Sequence, residues 1–471
     1  MGTQTNGVPA KFDPSLKTAV VIAGAGARGA YEAAVLAEVL PKLFPQGLSN
    51  VILLGTSAGA INAALWAARA HQPPQAAGDA VQNVWEQIDQ KAVFEITSSL
   101  AVLARLLVRA VWETAKGSPE IAEALLKEAF PWAERPIAAA FAAEKLVAKP
   151  LSLLGRLFGG PRPQAKRAGL RTALGDSFGF FDTTPLTATA HEFLDLSALE
   201  RNVEQGKLLG LGIVATSCPM DGSGGRSRVF LRCGPNLTVP ARVPNDDSSI
   251  DYVPLKKGQL SHEHILASAA IPIAFPPVKI EQPEDYAGFY TDGGVRLNTP
   301  IRPALDLGAE QIIVISSLAT EYPKSAPASS EEPDILDIGA QAIHAVLGDG
   351  TIEDLRNLRH ANATVRESGN QQVKADAAQR SVTTKANKQI AVLAISPDNG
   401  VLSGYAQTAL AEAKREGIEY ELLAAALASA GAGTGQNELA SYLLFYKPYV
   451  LLQFQTGKND VAANLQDAFR Y

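Results

Sequence analysis

The chain has 471 residues, 46% of them hydrophobic and 19% charged, with a formal net charge of −6. That composition is enough to build a large core, and the acidic balance gives no reason to expect nucleic acid as a partner. Cys218 and Cys233 are the only cysteines, so neither a disulfide framework nor a zinc site is indicated and reduced, buried thiols are expected.

Residues 1–16 read as a polar tail. Residues 1–13 lack the apolar core of a signal peptide. Asn6 breaks the myristoylation pattern that Gly2 would begin. No run of 18 or more apolar residues suggests a membrane span, so a cytoplasmic location is expected.

Residues 18–23 read as a buried strand. It leads into Gly24-Ala25-Gly26-Ala27-Arg28-Gly29 and a helix over 30–40. The spacing G-x-G-x-x-G also serves dinucleotides. That use needs an acid near the end of the next strand to hold the ribose. No Asp or Glu occurs between Glu38 and Asp79, so the dinucleotide reading loses its confirming residue. Backbone N–H groups at a helix start also bind an anion, and a tetrahedral intermediate is one. Arg28 adds a positive charge for a phosphate or a structural carboxylate.

An apolar run over 51–54, then Gly55-Thr56-Ser57-Ala58-Gly59, then a helix-like run over 60–69 read as strand, tight turn, helix. A G-x-S-x-G at such a junction is a nucleophile elbow, which lifts the serine hydroxyl out of the backbone. The alternative is a small-residue turn that happens to hold a serine.

Residues 72–78 read as a loop, and about 80–170 as a helical insertion broken at Gly117, Pro131 and Pro150. Between Ile96 and Arg171 lie twelve Lys/Arg and six Asp/Glu, a charge of +6 against about −12 for the rest. Arg105 and Arg109 sit among Leu103, Leu106 and Leu107, and Arg156 beside Leu154 and Leu157. Such helices lie on anionic bilayers or pack as a cap with solvated arginines.

Residues 181–186 open a further helix. A buried strand is expected over 209–216, with 228–232 as its antiparallel neighbour. His262 and His264 precede a helix that leads into Ala267-Ser268-Ala269-Ala270-Ile271-Pro272-Ile273-Ala274-Phe275-Pro276-Pro277. Thr291-Asp292-Gly293-Gly294-Val295 has a strong turn signal. Strands are expected over 311–316 and 389–395, a surface linker over about 322–334, and one helix over 405–429. After a flexible break at 431–435, residues 439–471 look helical at both ends, with 446–454 strand or helix.

Four segments in this order resemble the patatin-like phospholipase family: the glycine-rich loop, the serine elbow, A-S-x-A-x-P-x-x-F-P and Asp-Gly-Gly. The resemblance implies a three-layer α/β sandwich with a mostly parallel central sheet and a helical cap insertion. It implies a catalytic domain over 17–430, with 431–471 as an extension packed on it. It makes Ser57 the nucleophile and Asp292 its base, a dyad that works without histidine. The oxyanion would be held by N–H groups of Ala25, Gly26 and Ala27. Gly24, Gly26, Arg28 and Gly29 form the loop motif, Gly55 and Gly59 flank the serine, and Gly293 and Gly294 follow the aspartate. The commonest family pattern has glycine where Ala25 stands. A methyl group is compatible there at negative φ and costs about 1 kcal/mol at positive φ.

The implied activity is cleavage of phospholipid or lysophospholipid acyl esters through an acyl-enzyme, with no cofactor or metal; the charge and leucines of the basic insertion add peripheral membrane contact, or a packed cap, as expectations of their own. The alternatives are a broad-specificity soluble carboxylesterase, and a membrane-binding or effector-gated protein with regulated or lost hydrolysis. A Ser-His-Asp triad must also be weighed. His344 and His360 follow Asp292, but in helix-like sequence where a half-buried or solvated histidine is ordinary.

Overall fold

The computed structural model describes residues 12–96, 181–221, 223–240, 249–272, 274–322, 332–370, 389–430 and 434–465. The basic insertion from residue 97 onward, and most of the linker expected over 322–334, lie outside the described residues.

The chain opens with β1 (Thr18–Ile22), α1 (Gly29–Leu43), β2 (Val51–Thr56) and α2 (Ala58–Arg69). Next come α3 (Pro74–Gln87), α4 (Gln90–Val93), the short strands β3 (Glu95–Ile96) and β4 (Phe181–Asp182), α5 (Thr184–Phe193) and α6 (Leu196–Glu204). β5 (Gly210–Ser217), β6 (Ser227–Cys233), β7 (Ile250–Pro254), α7 (His262–Ser268), β8 (Val278–Ile280) and β9 (Gly288–Asp292) follow. The remainder is α8 (Ile301–Asp306), β10 (Gln311–Ile315), α9 (Ile335–His344), α10 (Gly350–Asn370), β11 (Ala391–Ile395), α11 (Val401–Ala413), α12 (Ile418–Ala430), α13 (Thr434–Leu443) and α14 (Lys447–Asn464).

The central sheet has the order β11-β10-β1-β2-β5-β6-β7. Its first five strands are parallel to one another, and β6 turns back antiparallel on β5. Every residue of β1, β2 and β10 is buried. Unbroken apolar strands are what a parallel sheet covered on both faces requires. Val20, Ile22, Val51 and Leu53 pack with Val35, Leu36 and Trp66 of α1 and α2 on one face. Ala19, Val21, Ile52 and Leu54 pack with Ile301, Ala304, Leu355 and Leu358 of α8 and α10 on the other. This is the expected three-layer α/β sandwich. A further core joins α11 and α12 to Tyr446 and Tyr449.

Four expectations are corrected and one open choice is settled. The loop over 72–78 gives way to α3, because a proline at Pro74 suits the first turn of a helix. The single helix over 405–429 is two, parted at residues 414–417, where Gly417 interrupts. The ambiguous 446–454 stretch is helical, with Pro448 in the first turn of α14. His262 and His264 lie inside α7 rather than before it. The free thiols of Cys218 and Cys233 are half-buried rather than buried.

Glu32 on α1 has no exposed surface. Burial drives its carboxyl pKa well up, opposed only by the Asn62 amide. An unfolded glutamate ionises above about pH 4.3, whereas burial makes this one hold its proton to a higher pH. Wild-type stability therefore falls as pH rises from that value toward the folded-state pKa. Glu32→Gln should melt a few degrees higher than wild type at pH 8, with the gap closing near pH 4. A thermal melt at both pH values checks this.

Candidate active site

The site begins where β2 meets α2. Ser57 has φ 54 and ψ −127, and among the described residues it is the only non-glycine with positive φ. Such strain costs on the order of 1–3 kcal/mol and persists only where the surroundings enforce it. Here they do. A Cβ on Gly55 would lie 2.3 Å from the Gly59 carbonyl oxygen, and one on Gly59 would lie 2.3 Å from that of Ala23. The Ser57 N–H donates to Ser268 Oγ at 2.9 Å, and the Ser268 hydroxyl in turn donates to the Val214 carbonyl. Ser268 is thus the prop of the elbow, a role that the sequence reading did not assign.

Sheet register brings Asp292 to the serine. Thr56 pairs with Val214 on β5. The next residue of β5, Ala215, pairs with Asp292 at the end of β9. β9 therefore takes up the edge of β5 where β2 stops, and its last residue arrives beside the turn after Thr56. The Asp292 N–H donates to the Ala270 carbonyl at 2.9 Å. Its Oδ1 accepts from the Gly294 N–H at 2.7 Å. The Ser57 side chain acts on the same carboxylate and lowers its pKa. A Cβ on Gly293 would lie 2.4 Å from the Val214 carbonyl oxygen, so only glycine permits this approach.

Burial pushes the Asp292 pKa up to about 7, against the lowering by Ser57 and Gly294. A carboxylate tuned that high accepts a proton near neutral pH, which suits a general base.

The glycine-rich loop caps the start of α1. Ala25 has φ −143, so its methyl group carries no left-handed strain. The positive φ falls on Gly26, at +54. The Gly24 N–H donates to Asn298 Oδ1 at 3.0 Å. The N–H groups of Ala25, Gly26 and Ala27 make no hydrogen bond among the described residues. Three consecutive unpaired donors at a helix start form a site for negative charge.

Arg28 resolves toward the structural carboxylate. It is 3% exposed, and its Nη2 lies 2.5 Å from Glu438 Oε1.

Gly26 and Ser57 share an apolar pocket. Its walls include Ile61, Leu65, Leu186, Phe193, Leu266 and Phe275. Among the described residues no group of His, Cys, Asp and Glu side chains is placed to hold a metal ion.

No histidine is hydrogen-bonded to Ser57 or Asp292 among the described residues. His264 is buried between Ser261 and the Gln282 carbonyl, where burial depresses its pKa to about 4. His262 faces the Leu194 carbonyl and stacks on His191. His344 meets Glu438, and His360 is exposed on α10.

The solved structure of VipD from Legionella pneumophila is 12% identical, with a TM-score of 0.29, and 82% of this chain is covered against 62% of that one. The chain thus spans less than two thirds of that protein's length. No curated protein matches. A model of the patatin-like phospholipase family matches residues 20–305. That stretch is more than half of the chain and runs from the first strand past Asp292 and Asn298, so the chain belongs to the patatin-like phospholipase family.

Proposed function

We propose that this chain cleaves fatty-acyl esters of phospholipids or lysophospholipids through a Ser57–Asp292 dyad. Family membership supports lipid acyl hydrolysis in general. The observation that carries the finer reading is the strained Ser57 turn set by sheet register beside Asp292, a buried carboxylate whose pKa burial holds at about 7. The Ser57 hydroxyl attacks the acyl carbonyl as Asp292 takes its proton. The developing oxyanion is received by the N–H groups of Ala25, Gly26 and Ala27. Collapse breaks the ester bond, and Asp292 returns the proton to the departing alcohol. Water then attacks the acyl-enzyme as Asp292 takes its proton, and Asp292 returns that proton to the Ser57 oxygen as the fatty acid leaves. The apolar pocket fits the acyl chain.

The test is hydrolysis of phospholipid, lysophospholipid and short-chain p-nitrophenyl esters by purified protein. Release of fatty acid from either lipid supports the reading. Turnover confined to the short esters would favour a soluble carboxylesterase, and none at all a gated or inactive protein.

Peripheral membrane contact through residues 96–171 belongs to the same reading, and it rests on their charge of +6 in a chain of −6. Each basic residue near an anionic surface contributes about 1 kcal/mol. Reversing Arg105, Arg109 and Arg156 to Glu is expected to weaken sedimentation with anionic vesicles by orders of magnitude. Short-chain ester turnover should stay near wild type. Equal sedimentation of both proteins at low and high salt would sink the membrane role.

A further inference from the structure

We propose that the C-terminal helices α13 and α14 hold the oxyanion loop in its working geometry, with Glu438 and Gln453 as positioning residues. This rests on the reading above, in which the N–H groups of residues 25–27 receive the oxyanion. Both helices lie beyond residue 305, where the match to the family ends.

Each of the three residues Gly26, Ala27 and Arg28 is fixed from this side. Gly26 backs onto the peptide of Tyr442, so closely that a Cβ would lie 2.6 Å from the Tyr442 carbonyl oxygen. The Ala27 carbonyl accepts from Gln453 Nε2 at 3.3 Å. The same buried amide accepts the Tyr31 N–H through its Oε1 at 3.2 Å, so Gln453 spans the first turn of α1. Arg28 spends its fork on α13. Nε donates to Ser441 Oγ at 2.8 Å, Nη1 to the Tyr442 hydroxyl at 3.2 Å and Nη2 to Glu438 Oε1 at 2.5 Å. The guanidinium also lies 4.2 Å from the centre of the Tyr442 ring.

Glu438 is held in turn. His344 Nε2 lies 3.0 Å from the same Oε1. Burial alone would raise the Glu438 pKa, but the bond from His344 and the charge of Arg28 bring it down to about 2. The Arg28–Glu438 pair is therefore charged at any working pH and almost dry. Planar, multi-point gripping of an arginine fixes direction as well as distance. Its backbone follows directly on the three free N–H groups.

An oxyanion site works because its donors are aimed before the charge appears. Donors displaced by about 1 Å cost about 10²-fold in rate. A loop of small residues, Gly24-Ala25-Gly26-Ala27, has no large side chains of its own to set that aim. The helices supply it from outside.

The experiment uses the full chain. Glu438→Gln keeps the shape but removes the charge, and Gln453→Met removes the grip on Ala27 without touching any charge. Each is measured for kcat and KM on a short-chain p-nitrophenyl ester, for the rate of Ser57 phosphonylation by a fluorophosphonate, and for melting temperature. Expected for either variant is a fall of about 10- to 100-fold in kcat and in phosphonylation rate, with KM within about twofold. Such a split follows from lost transition-state stabilisation. If Glu438→Gln does not fold, Gln453→Met decides alone. A lower melting temperature with kcat and labelling unchanged would overturn the proposal, leaving the helices as packing. Wild-type chain that neither turns over ester nor takes the probe would instead refute the dyad itself.

Discussion

Ser57→Ala is expected to lower turnover by about 10⁴-fold or more while leaving the fold intact. The serine side chain acts on the perturbed carboxylate, and the residue lines the apolar pocket. The bond that anchors its backbone runs from its own N–H to Ser268, so alanine keeps that anchor. Alanine also keeps the φ of 54, with the same strain that serine bears. Its melting temperature should therefore stay close to that of wild type. Turnover surviving in a clean preparation would put the chemistry at another residue.

Asp292→Asn should be nearly as damaging to turnover, yet it should stabilise the fold. In wild type, kcat/KM is expected to rise with pH through an apparent pKa of about 7, because only the ionised Asp292 can take the serine proton. The stability effect has the opposite pH sense. In the unfolded chain an aspartate ionises above about pH 3.9. Burial raises the folded value to about 7, so wild-type stability falls between those values and is lowest above them. Three pKa units correspond to at most about 4 kcal/mol. Asparagine escapes that cost. The variant should melt higher than wild type at pH 8 and equal to it near pH 4. An alanine at His262, His264, His344 or His360 should change turnover by no more than about tenfold. One such variant as inactive as Asp292→Asn would replace the dyad with a triad.

The sandwich could be read in advance because its strands are covered on both faces. Residues 19–22, 51–54 and 312–315 are unbroken apolar runs, the pattern of a strand covered on both faces. β8 and β9 escaped notice for the converse reason. Each is short and half exposed, and Gly288 opens β9, so neither alternates cleanly. At the site, the elbow and the glycine-rich loop carry local signals, since only small residues fit where backbones nearly touch. Ser268 and Asn298 carry none. A serine at a helix end and an asparagine in a turn are ordinary until β5 and β9 pair and deliver them to Ser57 and Gly24. Glu438 and Gln453 are further still from any local rule. A glutamate and a glutamine on late helices announce nothing until α1 packs against them.

The 410 residues between Arg28 and Glu438 also impose an order in time. A ribosome adds about 5–20 residues per second. The loop therefore waits on the order of 20–80 s for the helices that grip it. For most of that wait the nascent chain already carries Ser57, and Asp292 joins it partway. On the proposed reading, the reactive serine is born long before the groups that aim its oxyanion donors. A cell making this protein would then meet a nearly idle chain at the ribosome, with hydrolysis switched on only as α13 and α14 are made and packed.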